Sequence, residues 1–388
     1  MKNFFYETWA GHVAPNLGRA VEKIGQAKRE DVLSALNNIP ATQDGFLALL
    51  SSAADEALEK VEQAARGITE QRFGRTVNLY IPLYLSNACV NDCAYCWFGR
   101  SNPAPRRALT LEEVEREAAC LRLEGYKNLL LVSGEDPAHV KVEYLADCVR
   151  LVKKAGFVFV GLEARALRTD EYRILAEAGL DSVTVYQETY DPAIYAQVHK
   201  TGPKKDYRLR METPDRAAEA GIRNVAMGVL LGLGDMRFDA VALAAHVKHM
   251  QKKHWRTAVS ISFPRIHAAP GGFAAAHPVA DNELVRLIAA MRLAFPDSTL
   301  TLSTREAPAL RDRLFGMGIN QVSAGSKTSP GAYSLGGGEE QFPVVDNRTP
   351  AQVMEAIREK GLEWVMKDWD VNMWPAPAEK ELVDGNNT

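Results

Sequence analysis

Three of the chain's five cysteines fall within the stretch Cys89-Val90-Asn91-Asp92-Cys93-Ala94-Tyr95-Cys96. Their spacing is C-x3-C-x2-C, and no other stretch concentrates soft ligands in this way. Thiolates select iron–sulfur clusters, zinc or Cu(I). Zinc sites generally use two C-x2-C pairs or Cys/His pairs, and no fourth ligand stands nearby. Three thiolates suit a [4Fe–4S] cluster with one iron left open. An open iron is what chelates S-adenosylmethionine for reductive cleavage to a 5′-deoxyadenosyl radical. Cys120 and Cys148 lie singly in helical patterns and read as small buried apolar residues.

The cysteine loop needs a scaffold, and the surrounding pattern supplies one. Residues 79–85 form an apolar run that leads into the loop. Strand-like runs recur at 128–133, 157–162, 182–186, 225–231, 258–263, 299–304 and 319–324, with helical patterns between them. Thr110 with Glu113 forms a capping box at one helix start, and Thr213 or Asp215 opens another helix. The strands read as short continuous apolar runs of the kind buried on both faces. Eight strand–helix units argue for an α/β fold, a (β/α)8 TIM-type barrel. A doubly wound open sheet is the alternative. Residues 1–75 read as an N-terminal helical extension, 76–328 as the barrel, and 329–388 as a loop-rich C-terminal segment with a disordered tail.

In a barrel, chemistry sits at the C-terminal ends of the strands. The polar residues follow that phase. The cysteine loop follows strand one, Glu135 strand two, Glu163 strand three, and Gln187 and Glu188 strand four. Arg265 follows strand six, Arg305 and Glu306 follow strand seven, and Ser323 and Ser326 end strand eight. His246, His249 and His254 sit on or beside a lysine-bearing helix and read as a solvated face rather than a metal site. Gly232-Leu233-Gly234 lacks the third glycine of a dinucleotide fingerprint.

The 388 residues are 46% hydrophobic and 24% charged, with a net charge of −3. That balance gives no broad attraction to nucleic acid or to an anionic membrane. No apolar run reaches the length of a transmembrane helix, and residues 1–9 lack a signal-peptide core. Tightly clustered thiols in an odd total suit a reducing, cytoplasmic setting.

An aromatic residue, Tyr95, precedes the third cysteine, as in the radical SAM superfamily. The resemblance extends further. Residues 82–89, Tyr186-Gln187-Glu188-Thr189-Tyr190 and Glu212-Thr213-Pro214-Asp215-Arg216 resemble the tyrosine lyases, the 2-iminoacetate synthase (ThiH) family. So do residues 260–265, 302–306 and Lys367-Asp368-Trp369-Asp370. The resemblance implies hydrogen abstraction from the amino group of L-tyrosine and cleavage of its Cα–Cβ bond. The products implied are 2-iminoacetate (dehydroglycine) and p-cresol, with 5′-deoxyadenosine and methionine, for the thiazole of thiamine. It implies that Cys89, Cys93 and Cys96 bind the cluster and that Tyr95 lies along the adenine. Gly134 and Glu135 are implied near the cofactor's methionine amino group, and Glu188 and Arg210 around its ribose and carboxylate. Arg305 is implied to hold the substrate carboxylate, with Ser323 as helper and Arg265 as a further candidate. A thiazole synthase partner and a flavodoxin or ferredoxin reductant are implied at family level.

Two departures stand out. Trp97 follows the third cysteine where the family commonly has glycine. The loop His267-Ala268-Ala269-Pro270-Gly271-Gly272 lacks a cysteine that some relatives carry. Three other readings remain. The hydrogenase-maturation lyase needs a second cluster on C-terminal cysteines, and none follows Cys148. A lyase acting on tryptophan or another aromatic amino acid is the second. A non-catalytic iron–sulfur carrier is the third; it has no need of polar residues at so many strand ends.

Overall fold

A computed structural model of the chain describes residues 4–267 and 272–366. Residues 268–271 of the loop noted above, the Lys367–Asp370 motif and the tail expected to be disordered lie outside the described residues.

The strands are β1 (Thr76–Ser86), β2 (Asn128–Ser133), β3 (Phe159–Glu163), β4 (Ser182–Glu188), β5 (Asn224–Val229), β6 (Ala258–Ser262), β7 (Thr299–Leu302) and β8 (Gln321–Ser323). All pair in parallel, in chain order. β1 also pairs with both β2 and β8, which closes the ring. The (β/α)8 TIM-type barrel is therefore the fold, and the open sheet is excluded. A ninth strand, β9 (Glu363–Val365), pairs in parallel with the start of β1.

β2 keeps the continuous apolar run read from sequence, Leu129 to Val132, but β1 and β4 alternate, which corrects that reading for them. In β1, Thr76, Asn78, Tyr80, Pro82 and Tyr84 face the lumen. Val77, Leu79, Ile81, Leu83 and Leu85 are fully buried, on the opposite face because side chains alternate. In β4, Ser182, Thr184, Tyr186 and Glu188 face inward. The hydrophobic core thus lies between sheet and helices, while the lumen mixes polar side chains with tyrosine rings and with Leu130 and Val132 of β2. At the N-terminal end of the barrel, Asn128 Nδ2 donates to Asn78 Oδ1 (2.5 Å), Asn224 Nδ2 to Ser182 Oγ (2.8 Å), and Ser260 Oγ to Asn224 Oδ1 (3.0 Å). These bonds satisfy side chains that burial would otherwise penalise.

The described residues before β1 form helices between Phe5 and Phe73. The longest helix, Leu58–Phe73, buries Val61, Ala65 and Thr69 at i, i+4 and i+8. That stripe packs on the barrel helix Asp281–Ala294, and the helix stops at Gly74, whose φ of +65° suits glycine.

The first residues dock on helix Met236–Lys253, and this overturns the solvated-face reading of the histidines. His246 is buried, stacked on Phe5 with centroids 3.9 Å apart, and hydrogen-bonded to the Tyr190 hydroxyl (2.8 Å). His249, Lys253 and His254 all reach the fully buried Asp215 carboxylate, at 3.1, 2.9 and 2.8 Å. The Phe5 backbone N–H donates to the same group at 2.9 Å. Asp215 lies inside helix Thr213–Glu219 and does not open it. Burial alone would raise the Asp215 carboxyl, but these donors hold it well below the ordinary carboxylate range. Removing the carboxylate leaves the buried Phe5 N–H without its acceptor and takes from His249, Lys253 and His254 the group they converge on. Asp215→Ala is expected to cost on the order of 3 kcal/mol, read by chemical denaturation, and to expose residues 4–13 to protease.

Candidate active site

Ser86 ends β1, and the loop that follows carries the three cysteines. Arg106 staples this loop by donating to the carbonyls of Asn87 (3.1 Å), Phe98 (2.8 Å), Gly99 (2.6 Å) and Asn102 (3.0 Å). Asp92 accepts from the Ser101 hydroxyl at 2.6 Å. The loop is tied to its neighbours by Val90 N–H on Glu135 O (3.0 Å) and Ala94 N–H on Val198 O (2.9 Å). Gly134 is required by contact, because a Cβ there would lie 2.3 Å from Ala88 O.

Cys89, Cys93 and Cys96 all line one cavity at the C-terminal mouth of the barrel. Their thiols form no disulfide. Among the described residues, no three His, Cys, Asp or Glu side chains converge tightly enough to hold a single metal ion. Asn91 Nδ2 points at Cys89 Sγ (3.7 Å) and Gln341 Nε2 at Cys96 Sγ (3.5 Å). Weak N–H donation of this kind suits anionic sulfur. Cys148 is fully buried and Cys120 partly so, its thiol facing Tyr333 O at 3.7 Å; neither lines the cavity.

Beside the cysteines lies a network of two carboxylates and two cations. Arg210 donates from Nε to Tyr186 O (2.8 Å) and from Nη1 to Glu135 Oε1 (3.1 Å), with Glu188 at 3.8 Å. Lys204 Nζ reaches Glu188 Oε1 at 2.6 Å. Asn91 joins the cysteine loop to this network, donating to Glu135 Oε2 (2.8 Å) and accepting from the Lys204 backbone N–H (2.9 Å). Glu188 occupies a bulge in β4 with φ of +70°, a left-handed conformation that costs a non-glycine residue ~1–3 kcal/mol. Burial alone would raise its carboxyl, but Lys204 and Arg210 outweigh that and hold it below its ordinary value.

Tyr95 lines the cavity, with its hydroxyl 2.8 Å from His199 Nε2 and the Lys204 ammonium over its ring. His199 Nδ1 faces the Tyr195 carbonyl at 2.9 Å, so Nδ1 carries the proton and Nε2 accepts from Tyr95. Burial, with Lys204 adding, pushes His199 down to about 3 and keeps it neutral.

The far wall carries Arg305, Ser303, Ser323 and Ser326. The Arg305 guanidinium lies over the Phe342 ring, 3.4 Å from its centroid. Among the described residues it forms no hydrogen bond or ion pair, and it lines the cavity with its donors available to a ligand. Ser326 Oγ is buried without a partner; Ser323 Oγ stands beside the Tyr80 hydroxyl but outside hydrogen-bonding geometry. Residues from the C-terminal segment complete the wall. Gln341 accepts from the Tyr84 hydroxyl (2.7 Å) as well as facing Cys96.

The structure thus brings together the cysteines, Tyr95, Gly134, Glu135, Glu188, Arg210, Arg305 and Ser323. It does not bring Arg265 to the cavity. Arg265 occupies the outward phase, bound to Glu306, to Asp281 (2.8 Å) and to Val279 O (2.8 Å). Trp97 does not line the cavity either; its indole N–H bonds Glu339 and so anchors the C-terminal segment beside the loop. Asn91, Lys204, His199 and Gln341 were not singled out from sequence. Asn91 lies inside the cysteine motif and could have been found there; the others carry no local signal.

Residues 83–245 match the radical SAM superfamily, and residues 262–363 match the biotin and thiamin synthesis associated domain. The 2-iminoacetate synthase of Escherichia coli (strain K12) is 44% identical over 342 residues, which is 88% of this chain and 90% of that protein. The chain belongs to the 2-iminoacetate synthase family. The crystal structure of HydG, a maturase of the [FeFe]-hydrogenase, superposes with a TM-score of 0.87 at 31% identity, covering 92% of this chain and 81% of HydG. Methylornithine synthase (PylB), at 22% identity and a TM-score of 0.70, shares the fold. Membership of the radical SAM superfamily brings a [4Fe–4S] cluster and S-adenosylmethionine, which the thiol set and the adjoining network fit.

Replacing one cysteine of the loop removes a ligand that nothing nearby supplies. Cys93→Ala is expected to lose the brown cluster absorbance after anaerobic reconstitution, and Cys120→Ala to keep it.

Proposed function

We propose that the protein is a radical SAM carbon–carbon lyase that cleaves the Cα–Cβ bond of L-tyrosine. The products are 2-iminoacetate and p-cresol, with 5′-deoxyadenosine and methionine. The observation that carries this reading is the match along nine-tenths of the E. coli 2-iminoacetate synthase. When bound, the cluster and S-adenosylmethionine supply the radical that takes a hydrogen atom from the substrate amino group.

The chain's own residues do the holding and the excluding. Cys89, Cys93 and Cys96 bind three irons. Tyr95, kept neutral by burial and oriented by His199, offers its ring to the adenine. Glu135, with Gly134 giving close access, takes the cofactor's amino group; Glu188 and Arg210 serve its ribose and carboxylate. Arg305 takes the carboxylate of the amino acid by a bidentate, charge-assisted contact, helped by Ser323. Its role draws on Phe342, whose ring fixes the guanidinium plane. Arg265 acts only through Glu306 and the loop they tie together.

In the cell the product enters assembly of the thiazole of thiamine through a thiazole synthase, and a flavodoxin or ferredoxin supplies electrons. No described helix is long and apolar enough to cross a membrane, and we place the enzyme in the cytoplasm.

Anaerobically reconstituted protein given reductant, S-adenosylmethionine and L-tyrosine is expected to release 5′-deoxyadenosine and p-cresol together. A fully loaded cluster that cleaves no cofactor overturns the reading, and turnover of tryptophan in place of tyrosine moves the substrate. Arg305→Ala is expected to weaken tyrosine binding ~10–100-fold while slow uncoupled cofactor cleavage persists, measured by titration and by 5′-deoxyadenosine release without p-cresol.

A further inference from the structure

One carboxyl in the cavity has no role in the account above. Glu163 ends β3, opposite Val132 of β2 and Thr184 of β4 in the sheet register. It occupies the inward phase and lines the cavity with Tyr80, Tyr84, Tyr186 and Arg305. The other two carboxylates are taken: Glu135 by Arg210 and Asn91, Glu188 by Lys204 and Arg210. Among the described residues no hydrogen bond or ion pair engages Glu163, and none engages the Arg305 guanidinium. One cavity therefore presents an uncommitted carboxyl and an uncommitted guanidinium. That pair complements the zwitterionic end of an amino acid, with carboxylate toward Arg305 and ammonium toward Glu163.

The chemistry asks for more than attraction. An amino group that is to give up a hydrogen atom and then release a neighbouring carbon is best presented neutral, with its lone pair free. At neutral pH a free amino acid is an ammonium, so one proton must leave before the radical step.

We propose that the Glu163 carboxylate receives the α-ammonium of the bound amino acid and takes up one of its protons, a reading that rests on the lyase function proposed above. One N–H bond breaks, its electron pair stays on nitrogen, and an O–H bond forms on Glu163. Nothing is oxidised or reduced, and the amine keeps two hydrogens, one of which is removed in the radical step. The environment suits the task. Burial, with Glu188 adding, raises the Glu163 carboxyl to about 7, against the lowering by Lys204, Arg210 and Arg305. A base with that affinity accepts a proton far better than an ordinary surface carboxylate. The groups that face it are Tyr80 and Tyr84 from β1, Tyr186 and Glu188 from β4, Lys204 and Arg210 from the segment beyond β4, and Arg305 beyond β7. Burial raises the three phenols, so they stay neutral and do not compete.

The sign of the pH effect follows. Glu163 must be ionised to accept the proton, so kcat/KM of the wild type falls as pH drops below about 7 and levels above it. Glu163→Gln is expected to lower p-cresol formation ~10²–10⁴-fold. Its residual rate should keep rising with pH as the free amine loses its own proton. Binding supplies a second reading. The reconstituted wild type should bind L-tyrosine more tightly than 3-(4-hydroxyphenyl)propanoate, which lacks the amine, whereas Glu163→Gln should bind the two alike. Glu163→Asp should recover part of the preference. Cluster absorbance and S-adenosylmethionine binding by equilibrium dialysis should match the wild type in both variants. A Glu163→Gln protein that keeps the tyrosine preference and the wild-type pH profile overturns the proposal, and so does one that loses S-adenosylmethionine binding instead. Failure of the wild type to release p-cresol at all refutes the lyase reading, while the binding comparison still reports on Glu163.

Discussion

A β-strand offers successive side chains to opposite faces, and closing eight strands into a ring turns that alternation into a rule of inside and outside. Every other residue of this sheet must fill a space that helices cannot reach. In many barrels those inward positions are bulky and branched, and the interior is simply packed. Here many of them are Asn, Ser and Thr at one end and Tyr, Glu, Arg and Ser at the other, with Leu130 and Val132 of β2 among the apolar exceptions. Apolar cohesion is left to the outward positions, such as Val77, Leu79, Ile81 and Leu83, pressed against helices. Stability and chemistry are thereby carried by alternate residues of the same strands.

The same phase decides which strand-end residues reach the site. Glu163, Glu188 and Arg305 share the inward phase. Gln187, Arg265 and Glu306 do not, though each sits beside a strand end. Glu306 and Arg265 neutralise one another, while Gln187 is buried with no partner for its amide. A bulge in β4 then lifts Glu188 into reach of Lys204 and Arg210. The strain of its left-handed backbone is offset by those two cations.

The barrel, the cysteine loop and most of the cavity wall were legible in the sequence, because each depends on local pattern. Strand–helix rhythm is local, and so is the C-x3-C-x2-C spacing. What was not legible depends on contacts between distant residues. His249 and His254 looked solvated because nothing near them announces Asp215 or Phe5. Lys204 stands in an unremarkable stretch after a short helix, and only folding brings its ammonium to Glu188. Trp97, an oddity beside the third cysteine when read as a letter, proves to be an anchor for Glu339. Strand alternation was present in β4 as Ser-Val-Thr-Val-Tyr, yet hydroxyl and aromatic residues blur it into a uniform run.

Gln341 touches Cys96 across 245 residues of chain, and β9 joins the sheet only after residue 362. The chain leaves the ribosome from its N-terminus, so the cysteine loop emerges long before its last wall. Closing a loop of that length also carries an entropic cost. The wall around the cysteines is thus built from both ends of the barrel sequence, the loop after the first strand and a segment that follows the eighth, so the surroundings of Cys96 exist only once the whole ring is assembled.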